Sequence, residues 1–445
     1  RSLQGAITNN AAVTFDQTTN GTYAGAMTGT GSLLKTGSGE LTLSGANSYG
    51  GGTLLNGGWL IAGHTDAFGT GSITVGSGTT LNLSNFTVGN LLVNNGGTIL
   101  STGQVSDVVA TNGTTYVGGN NSTITEVGGS ATMNVSGSAV TVTTASGGTL
   151  NVSGSNASVT TLSGGTVNAN AAGLVVSNFN GGNIAVSNGV TVALREGSSS
   201  GVISGSGGIA KQGAGTLALS GDSTYSGATT VSAGTLVVSG SANNSTATVE
   251  NGATLGGSGS VGGLHINLGG TISPGNSPGT LTVAGNSVWN PGGNYNWQIY
   301  DATGTAGGTN GWDLINIAGA LDLTSLSVGN EFNINLWSLS GIAPDVNGNA
   351  VNFTAPTNNT WHYSWTILTA AGGITGFEAT NFNINIAAVN GTGGFQNPLG
   401  QGTFYLEQNG NDLNLKFGIV PEPGTWAAAA LLAGGAAFAR WRRRA

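Results

Sequence analysis

Three consecutive stretches, GGTLNVSGSNASVTTLS (147–163), GGTVNANAAGLVVSNFN (164–180) and GGNIAVSNGVTVALREG (181–197), share a length of seventeen residues and one apolar pattern. Leu150, Val167 and Ile184 fall in one column, and Val152, Ala169 and Val186 in a second column two places on. Two apolar columns separated by one polar residue are what a strand with a single buried face requires. An isolated strand of this kind can neither cover that face nor pair its backbone, whereas rungs stacked in register do both for one another. The spacing therefore predicts a β-solenoid, with Gly, Asn and Ser at its corners because Gly and Asn tolerate positive φ. The preceding stretch, GGSATMNVSGSAVTVTTAS (128–146), fits with two extra residues, so loop length varies while the columns persist.

The composition agrees with an all-β chain. Of 445 residues only 6% are charged and 82 are glycine, and the remainder is dominated by strand and turn formers. Recurring alternating runs of Val, Leu and Ile can bury apolar area, which sets the chain apart from disordered Gly-rich sequences. With no cysteine, disulfides and thiolate metal sites are excluded. The net charge is −8 even though four of the nine cationic residues sit in the last six positions, so the body is more acidic still. No basic face is left for phosphates, and nucleic acid is excluded as a partner. The first residue is Arg1, and the expectation is that a removed or missing export signal precedes it.

A coarser repeat frames the rungs. Gly31–Gly63 aligns without a gap on Gly207–Ser239, matching Lys35 with Lys211, Gly37 with Gly213, Leu41 with Leu217, Tyr49 with Tyr225 and Thr53 with Thr229. Each copy reads as two alternating strands, Glu40–Ser44 and Thr53–Ile61 in the first, joined by a turn that holds the tyrosine. This Lys-x-Gly-x-Gly-x-Leu-x-Leu-Ser-Gly block, with its Tyr turn and Gly-x-Thr, resembles the autotransporter-associated β-strand repeat. The resemblance implies a β-helical passenger architecture of the kind found in exported bacterial surface proteins. The expected layout is a solenoid over 1–274, with repeat copies near 31–63 and 207–240, then a β-rich, aromatic C-terminal cap over 275–418, with a separate small β domain as the alternative for that region. The cap region holds six of the nine tryptophans, between Trp289 and Trp365.

The last stretch, 419–445, combines Pro421, Glu422 and Pro423, an uncharged Ala/Leu-rich segment over 426–439, and a closing cluster of Arg440, Arg442, Arg443 and Arg444. Fourteen helical residues span roughly 21 Å against a hydrocarbon core of roughly 30 Å, and flanking Trp and snorkelling Arg narrow the gap. The segment is expected to be a short transmembrane helix with its Arg cluster cytoplasmic, either held transiently or, as the alternative, serving as a permanent single-pass anchor. The tail resembles a PEP-CTERM sorting signal, which implies an exosortase-type membrane protease or transpeptidase as partner and Pro421, Glu422 and Pro423 as its recognition residues. It also implies transient anchoring in the inner membrane of a Gram-negative bacterium, followed by delivery to the cell surface or extracellular matrix.

No catalytic, cofactor or metal site is expected. His64, His265 and His362 are isolated in sequence, and Asp66, Asp107, Asp222, Asp301, Asp313, Asp322 and Asp345 are scattered. Asp301, Asp313 and Asp322 read as turn caps and Trp312, Trp337, Trp361 and Trp365 as core, while Arg195 and Glu196 read as a surface ion pair. The function expected is a non-enzymatic, adhesin-like structural protein in contact with extracellular polysaccharide. The alternative is a carbohydrate-active β-helix enzyme, a lyase or hydrolase, which would need carboxylates converging in one groove.

Overall fold

The computed structural model describes residues 5–275, 278–342, 345–357, 361–388 and 393–419. Pro421, Glu422, Pro423, the predicted span 426–439 and Arg440, Arg442, Arg443 and Arg444 lie outside the described residues. Among those described, no helix is long and apolar enough to cross a membrane, and the one regular helical element is the 3-10 turn Ala379–Asn381. Contacts group the chain into two units, one running to Leu255 with Ser260–Gly263, the other comprising Gly256–Gly259 and the residues from Leu264 onward.

In the first unit, strands of successive rungs pair parallel and in register. Leu150, Val167 and Ile184 stack as one ladder, and Val152, Ala169 and Val186 as the next, each at most 1% exposed. The first ladder extends back through Met133, Thr115, Ile99, Leu81, Leu60 and Leu41. Each fully buried aliphatic side chain in such a column contributes about 1.5–3 kcal/mol, so a rung is held mainly by the rungs above and below it. Thr115 interrupts the apolar column without leaving a bare hydroxyl, because the buried Asn94 donates to its Oγ1 at 2.9 Å and accepts from the Gly97 N–H at 3.0 Å.

Glycine pairs bend the chain: 128–129 lies between strands, whereas 147–148, 164–165 and 181–182 lie inside the strands Thr141–Val152, Ser158–Ala169 and Val175–Val186, where the pairing register shifts. The second member of each pair has positive φ: +53° at Gly129, +62° at Gly148, +69° at Gly165 and +72° at Gly182. A methyl group at Gly165 would sit 2.4 Å from the Gly147 carbonyl oxygen of the rung beneath, so stacking as well as backbone angle demands glycine there.

The frame repeats differ from the sequence expectation in one respect. Thr53–Ile61 is two strands, Thr53–Leu55 and Trp59–Ala62, separated by a corner at Gly58 with φ +61°. The inward positions are Thr53 and Leu55 before the corner and Leu60 and Ala62 after it, so the alternation shifts by one residue there, and apolar Leu54, Trp59 and Ile61 on the outward side hide that shift in the sequence. Each copy is consequently two stacked rungs: Leu33 pairs with Thr53 and Leu41 with Leu60, while Ile209 pairs with Thr229 and Leu217 with Leu236.

The second unit keeps parallel stacking but with longer excursions between rungs. Leu281, Ile315 and Leu368 form one ladder, and Tyr295, Ile334 and Ile384 another. Aromatic side chains fill it: Trp289 stacks on Phe332 with ring centres 4.4 Å apart, and Trp297 lies 5.8 Å from Trp365. An antiparallel hairpin, Thr403–Asn409 with Asp412–Gly418, then pairs with Trp361–Ala370 and occupies the edge that a further parallel rung would use.

Gly189 also has positive φ, +73°, but no atom lies within 4 Å of where a Cβ would be. Gly189→Ala is expected to lower stability by about 1–2 kcal/mol, the cost of a left-handed L-residue alone. Gly165→Ala should cost more, because the neighbouring rung must also move. Urea unfolding followed by far-UV circular dichroism compares the two, and equal costs would refute the stacking constraint.

Candidate functional site

The aligned lysines of the two frame repeats are both buried, 0% exposed in each case. Lys35 Nζ donates to the carbonyl oxygens of Thr36 at 2.5 Å, Gly37 at 2.9 Å and Gly57 at 3.1 Å. Lys211 Nζ repeats the arrangement on Gln212 at 3.1 Å, Gly213 at 2.8 Å and Ala233 at 3.0 Å. An ammonium has three donors and no acceptor, so each lysine is fully used. Gly57 and Ala233 belong to the following rung, which makes each lysine a tie between consecutive corners. Burial lowers the pKa of both lysines, countered by Asp16 beside Lys35 and by Glu196 beside Lys211.

A second tie follows each lysine. Tyr49 and Tyr225 lie on irregular backbone, as a turn position predicts, yet their side chains are inside the coil. The Tyr49 hydroxyl meets Thr53 Oγ1 at 2.6 Å, and that of Tyr225 meets Thr229 Oγ1 at 2.6 Å. Burial pushes the Tyr49 hydroxyl up to about 12, partly offset by the Thr53 hydrogen bond. Sequence reasoning missed that Lys35 and Lys211 are internal. The available signal was their common spacing from Gly37 and Gly213, which aligns them on a corner that must present bare carbonyls.

The outward side of the main ladder in the first unit carries a different regularity. Thr80, Thr98, Thr114, Thr132, Thr149 and Thr166 lie side by side on successive rungs, with Trp59 before them and Asn183 after. Two residues along each strand runs a companion column of Ile61, Asn82, Leu100, Tyr116, Asn134, Asn151, Asn168 and Ala185. Asn151 Nδ2 donates to Asn134 Oδ1 at 2.8 Å, and Asn168 Nδ2 to Asn151 Oδ1 at 2.7 Å, so these amides are held in line. Among the described residues, none of the six threonine hydroxyls in the first column has a hydrogen-bond partner. Between Trp59 and Asn183 no member of either column is charged, and Glu40 stacks on Trp59 at the end of the first column. Trp59 and Tyr116 are 40% and 46% exposed on this face.

The residues screened for chemistry remain apart. His64 accepts from the Asp66 N–H at 3.0 Å and lies 3.6 Å from its carboxylate; His265 is exposed; the His362, Trp361 and Asp345 side chains lie outside the described positions. No group of three His, Asp or Glu side chains among the described residues could hold a metal. Asp301 and Asp322 each accept from the N–H and hydroxyl of the residue two places on, Thr303 and Thr324; burial raises the Asp301 carboxyl, but these bonds together with that from Asn352 hold it below the usual range, and the Thr324 bonds do the same for Asp322. Asp313, by contrast, is fully buried and accepts from the Gly279 N–H at 2.8 Å and the Gln298 N–H at 2.9 Å, a bridge between strands. Trp365 is core, whereas Trp312 and Trp337 are half-buried. Arg195 and Glu196 do not form the expected ion pair; among the described residues the ion pairs are His64 with Asp66 and Lys416 with Glu407. Neighbours on a strand diverge, and Glu196 acts instead on the buried Lys211.

Residues 33–62 and 209–238, the segments carrying both ties, each match the passenger-associated-transport-repeat family model. Over 99 residues the chain is also 33% identical to an extracellular serine protease of Serratia marcescens. That match covers 22% of this chain and only 9% of the protease.

Two outcomes follow from the ties. Lys35→Met, which keeps the stem but strands three carbonyl oxygens, should lower stability by about 1.5–3 kcal/mol in urea unfolding, the worth of a hydrogen-bonded charged group. The Tyr49 phenol is held neutral in the fold, so its contribution is intact below pH 10 and is lost as pH rises through about 12. Melting temperature should fall over that interval, and Tyr49→Phe should flatten the fall; an unchanged slope would count against the assignment.

Proposed function

We propose that the chain is an exported, extracellular structural protein of passenger type, which contacts polysaccharide at the cell surface or in the surrounding matrix. The observation that supports this most directly is that both repeat-family segments are built as two-rung units closed by the same lysine and tyrosine ties. Such a repeat supplies architecture, and the geometry around it supplies repetition: many equivalent, weak contact points along a stack. The name of the Serratia relative is consistent with an extracellular setting, and its short overlap carries no activity to this chain. Delivery is assigned to the tail. In this reading an exosortase-type enzyme recognises Pro421, Glu422 and Pro423 while the 426–439 segment is held transiently in the inner membrane, with Arg440, Arg442, Arg443 and Arg444 on the cytoplasmic side.

Intact-mass measurement of the exported form, with fractionation of the producing cells, tests the route. The expected product ends near Glu422 and leaves the membrane fraction. Replacing Pro421, Glu422 and Pro423 with alanine should leave full-length protein in the membranes. Exported protein that retains the four terminal arginines would overturn the sorting assignment.

A further inference from the structure

The two outward columns of the first unit differ from the rest of its surface in three ways. They are uncharged over eight rungs, from Trp59 to Asn183 on one column. By contrast, the sheet carrying Thr123–Val127 and Thr191–Ser199 holds Glu126, Arg195 and Glu196. Their hydroxyls are unpartnered while their central amides are fixed by one another, so the face presents donors and acceptors already aligned. It also carries two exposed aromatic rings, Trp59 and Tyr116, on rungs three steps apart. At the parallel-sheet spacing of ~4.8 Å per rung, this places the rings ~15 Å apart along the stack, with the columns ~7 Å apart across it.

Free hydroxyls and amides on a flat sheet would be satisfied by water alone, and that is how an ordinary polar surface works. Large rings left in water beside them are what this face adds. A sugar ring offers an apolar face for an indole or phenol and a rim of hydroxyls that both donate and accept. An anionic polymer would be desolvated here without a cation to meet it, which is costly, whereas a neutral one is not penalised. The repeat along the stack also suits a polymer, since six successive rungs present a threonine hydroxyl in one column and three of them, Thr132/Asn134, Thr149/Asn151 and Thr166/Asn168, repeat the same pair of groups.

We propose that the face formed by Trp59, Tyr116 and the column Thr80, Thr98, Thr114, Thr132, Thr149 and Thr166 binds an extended, neutral polysaccharide lying along the stacking direction. This deepens the polysaccharide contact inferred under Proposed function and rests on it. Trp59 and Tyr116 stack on sugar rings, and the threonine hydroxyls and asparagine amides between and beyond them bond to ring hydroxyls. Individual contacts are weak, and affinity comes from their number.

Affinity electrophoresis of the full chain in gels containing hydroxyethylcellulose, dextran or alginate tests this. Hydroxyethylcellulose is expected to retard the protein, dextran less because it is not extended, and alginate not at all. The double variant Trp59→Ala/Tyr116→Ala should raise the apparent Kd at least tenfold. The triple variant Thr132→Val/Thr149→Val/Thr166→Val keeps β-branching and removes three hydroxyls, and should raise it several-fold. Thr143→Val/Thr160→Val, at exposed positions outside both columns, should leave it unchanged. Circular dichroism confirms that each variant keeps its fold. If hydroxyethylcellulose retards wild type and all variants alike, the face is the wrong site while the polysaccharide reading stands. Retardation by alginate alone overturns the neutral ligand class. Retardation by none of the three polymers overturns both this site and the contact on which it rests.

Discussion

In-register parallel stacking is the constraint from which the rest of this structure follows. A strand in the solenoid has no partner within its own rung, so each N–H and C=O must find the next rung at the same height. A side chain is then stacked on the residue at the equivalent position, and every column must keep one role over its length. The ladder from Leu41 to Ile184 shows the consequence. Its one polar member, Thr115, is tolerated because Asn94 is positioned to bond it. The bends obey the same rule: a Cβ at Gly165 would collide with the carbonyl beneath it, and glycine pairs recur on four successive rungs at 128–129, 147–148, 164–165 and 181–182.

Stacking also explains why a chain so poor in charge places cations inside. Where the chain turns a tight corner, carbonyl oxygens of two successive rungs converge and lack strand partners. Water could satisfy them only if the corner were open. Lys35 and Lys211 close it from within, each using its three donors on three carbonyls, and the buried Tyr49 and Tyr225 fasten the next stretch of irregular backbone. The matched segments 33–62 and 209–238 are thus the places where two rungs are locked together, while the rungs between them are held by apolar ladders and asparagine rows. Asparagine rows recur in the second unit, where Asn385 donates to Asn335 and Asn335 to Asn296. Neutral amides can stack at this spacing without the repulsion that a column of like charges would create.

A solenoid built this way separates structure from function by face. Inward positions are fixed by packing, and outward positions are free to vary as long as they do not repel their neighbours. The uncharged outward columns use that freedom to repeat a threonine over six rungs, with asparagine beside it on four of them, and Trp59 and Tyr116 add two exposed rings. The carboxylates take other parts, capping turns at Asp301 and Asp322 or bridging strands at Asp313.

Sequence by itself determined the period, the inward columns and the all-β class, because burial of alternate residues leaves a direct mark on residue type. It determined the pairing of the two frame repeats for the same reason, since Lys35 and Lys211 stand in one aligned column. Two things were decided only in three dimensions. Apolar Leu54, Trp59 and Ile61 at outward positions mask the shift of the inward set from Thr53 and Leu55 to Leu60 and Ala62, so the break at Gly58 inside the expected strand Thr53–Ile61 became visible only from the backbone. Many of a residue's neighbours in a solenoid are a whole rung away in sequence, so neither the carbonyl that Gly57 or Ala233 brings to each lysine nor the meeting of Trp59 with the threonine column could be read locally. Register brings those residues together, and register is set by the stack as a whole.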